Sequence, residues 1–175
     1  MVVAKDKSVI ERAYHLKNQG VSPDREYWHD VLAYNYRMTN ICAAIGLAQL
    51  EQAPDILSKK RNIAALYATH LQGLPLKCHA EEAETVHSFW MCSIMLHEAK
   101  DRKPLRDYLK NNGIETRPTF FPAHTMPHCR SDGFFPGADY LGENGINLPS
   151  FPGLAEMEII YICQTIKEYF GLTKS

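Results

Sequence analysis

No stretch of the 175-residue chain approaches the ~20 consecutive apolar residues of a membrane-spanning helix, which excludes a span. The start, Met1 to Asp6, lacks both the basic opening and the long apolar run of a secretory signal, so a cytoplasmic location is expected. An excess of one charge is also missing. With 19 basic against 20 acidic side chains there is no field to gather phosphate backbones, and no nucleic-acid partner is expected. The five cysteines (Cys42, Cys78, Cys92, Cys129 and Cys163) are odd in number, widely spaced and without a CxxC pair. That argues against a disulfide framework and a zinc ribbon, and reduced, mostly buried thiols are expected. The tightest metal-like group, His124, His128 and Cys129, would need a helix that Pro122 and Pro127 disfavour, so no metal is expected. With 45% hydrophobic and 22% charged residues the composition is that of an ordinary globular chain, without repeats.

Helix signals are frequent. Asp6 can cap a helix reaching about Asn18, with Val9, Ile10, Ala13 and Leu16 on one side and Gly20 placed to end it. From Thr39 or Asn40 a second helix, Ile41 to Leu50, is apolar nearly all round, which predicts burial on several sides. Pro54 opens a long amphipathic helix carrying Ile56, Ile63, Leu66, Tyr67 and Leu71, closed by Gly73 and Pro75. Beyond Pro75 the texture becomes α/β. Val86 to Leu96 and Ile114 to Arg117 read as strands, Pro104 to Asn112 as a helix ended by Gly113, Gly145 to Leu148 as a third strand, and Glu156 to Phe170 as a closing helix.

Two connecting segments hold the chemistry. Val21 to Met38 packs Tyr27, Trp28, His29, Tyr34 and Tyr36 around Asn35 and Arg37, too polar for a core and too aromatic for a linker. An amide is a sound neutral donor to phosphate and Arg37 supplies charge; the bland alternative is that Arg37 pairs with a carboxylate and the tyrosines pack. Thr119 to Gly137 is a long loop rich in proline and aromatics, and loops of that length are usually functional. Arg117 stands at its mouth, either facing an anion or contacting Glu115 on the strand. Phe120, Phe121 and His124 follow; aromatic faces suit a base or sugar ring and the imidazole suits hydroxyls or phosphate. Phe89 and Trp90 either line the same cleft or pack in the core.

Tyr34-Asn35-Tyr36-Arg37-Met38-Thr39-Asn40 and the small-residue helix through Glu51 resemble the sugar aminotransferases of the DegT/DnrJ/EryC1/StrS family. In order along the chain, Gln19-Gly20, Tyr27-Trp28-His29, His87-Ser88-Phe89-Trp90, Gly113 to Pro118, and Asn147-Leu148-Pro149-Ser150 before Pro152-Gly153-Leu154 extend the likeness to essentially the whole sequence. The tract Ile114 to Pro122 is similar to that of the perosamine synthase-like subgroup, which aminates a 4-keto-6-deoxy sugar on a nucleoside diphosphate. Two positions depart from the pattern: Cys42 stands where glutamine is common, and Ala155 where a capping threonine or serine is usual.

The resemblance implies the C-terminal half of a fold-type I pyridoxal phosphate (PLP) aminotransferase. Its class would be α/β with an α+β small domain, a small antiparallel or mixed sheet flanked by helices. Residues 1–53 would end the large PLP-binding domain with an interface helix, and 54–175 would form the small domain with its linking helix. The parent would move an amino group from glutamate to a nucleotide-linked keto-deoxysugar. Asn35 and Arg37 inherit cofactor-phosphate binding, Asn35 across a dimer interface; Trp28, Tyr34, Phe89, Trp90, Arg117, Phe120 and His124 become substrate-site candidates. The lysine that forms the Schiff base with PLP would precede Met1, and no lysine here stands in its context, so PLP is not expected on this chain alone. The alternative is a non-catalytic module that homodimerises or complements a separate N-terminal half.

Overall fold

The computed structural model describes residues 2–172. The chain divides into two compact units, Met1–Gln52 and Ala53–Ser175.

The first unit opens with helix α1 (Lys7–Lys17), where the Asp6 carboxylate accepts from the Ser8 N–H at 2.8 Å and so satisfies a free first-turn donor. Gln19 and Gly20 both take φ near +64° and fold the chain back. A Cβ on Gly20 would lie 2.6 Å from the Val31 carbonyl oxygen, so this close approach requires glycine. The returning strand-like segment is tied to the helix end: Tyr34 N–H donates to Leu16 O and Tyr36 N–H to Lys17 O, at 3.1 and 3.0 Å. Helix α2 (Asn40–Glu51) follows, with the Thr39 hydroxyl accepting from Cys42 N–H.

The expected burial of α2 is not observed. None of its residues is buried, and Ile41, Ile45, Leu47 and Leu50 are each more than half exposed. The helix is apolar on every side, and its side chains stand exposed among the described residues.

The second unit is built on α3 (Ala53–His70), β1 (Leu76–Cys78), β2 (Cys92–Leu96), α4 (Arg102–Asn111), β3 (Arg117–Pro118), α5 (Pro136–Asn144), β4 (Gly145–Leu148) and α6 (Glu156–Tyr169). The strands form one antiparallel sheet in the order β1-β2-β4-β3, with Cys92 opposite Leu148 and Arg117 opposite Asn147. In β2, Cys92, Ile94 and Leu96 alternate inward, as a period of two demands. They meet Ile63 and Tyr67 of α3, Leu105 and Leu109 of α4, Ile146 and Leu148 of β4, and Ile159, Ile162 and Ile166 of α6. A sheet flanked by helices is the class the sequence implies.

Several elements differ in extent. Pairing starts at Cys92, not Val86. Arg61 Nη1 donates to the His87 carbonyl at 2.6 Å and Glu81 accepts from His87 N–H at 2.5 Å, so the backbone there is spoken for. Phe89, at φ +46°, then turns the chain. Of the expected second strand, Ile114 to Arg117, only Arg117 pairs, and the pairing runs on to Pro118. Strand β1, directly after Pro75, and helix α5, opened by Pro136 inside the aromatic segment, are additional elements.

Candidate functional site

Each unit holds one group of candidate residues. In the first, the tie between residues 34–36 and the end of α1 leaves the side chains of the tract outside: Tyr34 and Tyr36 stack with ring centroids 5.2 Å apart. Among the described residues, the Asn35 amide and the Arg37 guanidinium have no hydrogen-bond or ion-pair partner, so the carboxylate partner that would make Arg37 structural is absent there. Trp28 lies under the Arg25 guanidinium, 4.0 Å from its carbon to the ring centre. His29 Nδ1 contacts Gln19 O at 2.8 Å, and since a carbonyl only accepts, that nitrogen carries the proton.

The second unit contains a cleft of about 840 Å³. Its floor is the exit of β4 and β3, with Asn147, Leu148 and Arg117; Trp90, Phe151 and the α6 residues Glu158 and Tyr161 rise around it. Trp90, 69% exposed, stacks with Phe120 at 6.3 Å between ring centres and 23° between planes. Arg117 has no side-chain partner among the described residues. Asn147 is held by both ends of its amide, accepting from Ser93 Oγ at 2.6 Å and donating to Pro118 O at 3.1 Å. Arg117, Trp90 and Phe120 therefore form one group: an unpaired cation and an aromatic pair.

Phe89 and His124 stand apart from that group. Phe89 is buried in the core and contacts the imidazoles of His79 and His87. Phe89 is buried while the adjacent Trp90 is exposed, with Phe89 itself in the left-handed region. His124 Nε2 lies 2.9 Å from Asp139 Oδ1, and its ring leans on Phe135, which pins the long loop to α5.

One lining residue was not anticipated. Lys60 of α3 is 8% exposed, and its ammonium donates to Trp90 O at 2.8 Å, to Ser150 Oγ at 3.1 Å and to Ser150 O. Burial holds its pKa below the usual lysine range. The signal is in the periodicity: position 60 lies three and seven residues before Ile63 and Tyr67, on the apolar stripe of the helix.

An acceptor rich in oxygen, such as a phosphate, suits the free amide and guanidinium of Asn35 and Arg37. Lys60 is the one described lysine that is buried, and its three donors are already engaged, so it does not offer an amine to a cofactor. Among the described residues no group of three metal-ligating side chains occurs. No helix there is long and apolar enough to cross a membrane.

Residues 1–167 match the DegT/DnrJ/EryC1/StrS aminotransferase family, and the chain belongs to it. This is a family of PLP-dependent aminotransferases. Among individual relatives, the GDP-perosamine synthase of Escherichia coli O157:H7 is 50% identical over 172 residues, which is 98% of this chain and 47% of that protein. The GDP-perosamine synthase of Vibrio cholerae is 47% identical, over 98% and 48%. The chain thus spans about half the length of the curated relatives it matches. Helicobacter pylori PseC, an aminotransferase involved in the biosynthesis of pseudoaminic acid, superposes with a TM-score of 0.86 at 19% identity. That match covers 98% of this chain and 48% of PseC, and at this identity it speaks for the fold alone.

Proposed function

We propose that this chain is the C-terminal portion of a PLP-dependent aminotransferase that transfers the amino group of glutamate to a nucleotide-linked 4-keto-6-deoxy sugar in the cytoplasm. The observation that carries the reading is the 50% identity to a GDP-perosamine synthase across 98% of the chain. Residues 1–53 end the large domain and 54–175 are the small domain. Bound PLP supplies the means to take an amino group from one substrate and give it to another.

This chain's own residues bind and orient. The Asn35 amide and Arg37 guanidinium donate to the cofactor phosphate, in the neighbouring subunit of a homodimer, with Trp28 and Tyr34 beside them. In the cleft, Arg117 meets an anionic group of the substrate, and Trp90 and Phe120 take a flat ring. His124 reaches sugar hydroxyls from the loop it anchors. Phe89, buried in the core against His79 and His87, leaves the cleft to Trp90. The lysine that anchors PLP belongs to the upstream half of the enzyme.

The test adds PLP to the purified chain, records absorbance before and after borohydride, and measures intact mass. The 175-residue chain is expected to give no reducible band and no lysine-specific mass increase. Joining it to the upstream half of a relative is expected to restore both, with glutamate-dependent amination of the GDP-linked keto sugar. Turnover by the chain alone would overturn the assignment.

The exposed apolar surface of α2 favours a second reading, a non-catalytic module that assembles through that helix. Sedimentation of the chain alone and with the separate upstream half distinguishes self-association from complementation. A dispersed monomer in both would exclude this reading.

A further inference from the structure

Past the last ladder pair, Cys92 opposite Leu148, strands β2 and β4 part, and Trp90 lies on one side of the gap with Ser150 on the other. Lys60 reaches into this opening from α3. Three ammonium donors meet three acceptors: the Trp90 carbonyl, the Ser150 carbonyl and the Ser150 hydroxyl. No carboxylate of the described residues lies within ion-pair distance of it, so the charge is balanced by dipoles alone. A buried cation without a counter-charge is costly compared with an apolar side chain of the same length. What the ammonium supplies, and leucine or methionine would not, is a simultaneous hold on two chain segments.

Tyr67, two turns along the same helix, does likewise for Pro149 O at 2.8 Å. Three carbonyls are thereby held from one helix, those of Trp90, Pro149 and Ser150. The pin matters most at Trp90, because Phe89 before it sits in a left-handed conformation that a bulky residue keeps only when its surroundings hold it.

We propose that Lys60 is a positioning residue of the cleft: by clamping the Trp90 carbonyl to Ser150, it sets the Trp90 indole against Phe120 as the cleft's aromatic wall. This concerns the shape of the cleft and is independent of which ligand enters it. Removing the clamp frees residues 89–91 to relax out of the strained turn, and the indole leaves the ring of Phe120.

The test uses the full chain carrying Trp28→Phe, which leaves Trp90 as the reporting indole, with Lys60→Met and Lys60→Arg added separately. Lys60→Met is expected to lose the near-ultraviolet circular dichroism of the stacked indole and to gain acrylamide quenching well below its melting temperature. Lys60→Arg, which keeps charged donors, is expected to recover part of both signals. A Lys60→Met chain that melts earlier but keeps the parent's optical signature would overturn the proposal, since a merely stabilising residue does only that. Should Lys60→Met fail to fold, the unaltered chain decides: a slowly exchanging ¹⁵N-ammonium signal for Lys60 with cross-peaks to Trp90 is expected, and a solvent-averaged one overturns the clamp. A parallel titration with GDP keeps the two readings separate, because absence of GDP binding counts against the nucleotide-sugar assignment and leaves the optical result unaffected.

Discussion

Ala155 stands at the N-cap of α6 with φ −74° and ψ 151°, the backbone conformation that a capping residue adopts, yet it has no side-chain acceptor. Half of a capping box is nonetheless built. Glu158 Oε2 accepts from Ala155 N–H at 2.8 Å. In return the Glu158 N–H has only the Ala155 carbonyl, at 3.0 Å, which it shares with the Ile159 N–H at 3.1 Å. A threonine hydroxyl at position 155 would accept from the Glu158 N–H and complete the box without moving the backbone. Capping by a hydroxyl instead of a methyl contributes about 1 kcal/mol, which raises the melting temperature of a unit of this size by about 3–6 °C. The gain registers globally because α6 feeds Ile159, Ile162 and Ile166 into the core and cannot fray alone. The assay is urea and thermal unfolding of the parent, Ala155→Thr and Ala155→Val, the last having threonine's shape without its acceptor. The expected order is Thr above Ala, with Val at or below Ala and an unchanged urea slope. Threonine and valine melting together would refute the reasoning, because shape and not capping would then be the cause.

Three further outcomes follow from packing and charge. Gly145→Ala is expected to lower the melting temperature, since its Cβ would collide with the Thr119 side chain and lie 2.7 Å from Leu141 O; an unchanged melt would mean that the loop yields freely. Ile146→Ala, on a fully buried side chain in the sheet, should cost about 2–5 kcal/mol in urea unfolding, and a loss under 1 kcal/mol would show that the core refills the space. His79 has its pKa lowered, by burial first and by the His87 imidazole 4.4 Å away second. The unfolded chain therefore binds the proton more readily, and the stability that neutral His79 contributes is present above about pH 6.5 and lost as the pH falls through the lower folded value. Urea midpoints at pH 7.5 and 5.5 should converge for His79→Gln relative to the parent. An identical drop in both chains would assign the acid sensitivity elsewhere.

The elements legible from sequence are those whose local signals agree with their packing. Asp6 and Thr39 cap where expected, Gly113 ends α4 at φ +76°, and Gly145 to Leu148 forms the predicted strand. Illegible features depend on partners distant in the chain. The apolar run from Val86 looks like a strand, but Arg61 and Glu81 take the backbone groups of His87 before any neighbouring strand can. Lys60 was not singled out from the sequence: its spacing puts it on the apolar stripe, but its acceptors lie 30 and 90 residues away. For α2 the composition reports that the helix needs cover and is silent on what supplies it.

Arginines separate the structural use of charge from the functional one. Arg61 is bound to Glu81 and the His87 carbonyl, Arg102 to the carbonyls of Gly142 and Glu143 at the end of α5, and Arg106 to Thr116. Each of these ties two elements, and its guanidinium is consumed in doing so. Arg37 and Arg117 have no such partner among the described residues, and each stands beside an exposed aromatic group on a backbone already fixed by other bonds. Arg12, Arg25 and Arg130 also have no hydrogen-bond or ion-pair partner among the described residues; Arg12 and Arg130 lie on an open helix face and a loop outside the cleft, and the Arg25 guanidinium is covered by the Trp28 ring. An unpaired guanidinium in a cleft or beside stacked rings suits an anion, and planar oxyanions such as carboxylate and phosphate match its fork. Under the proposed function these two groups of candidate residues serve as two anion-binding stations, one per unit, for the cofactor phosphate and the nucleotide sugar.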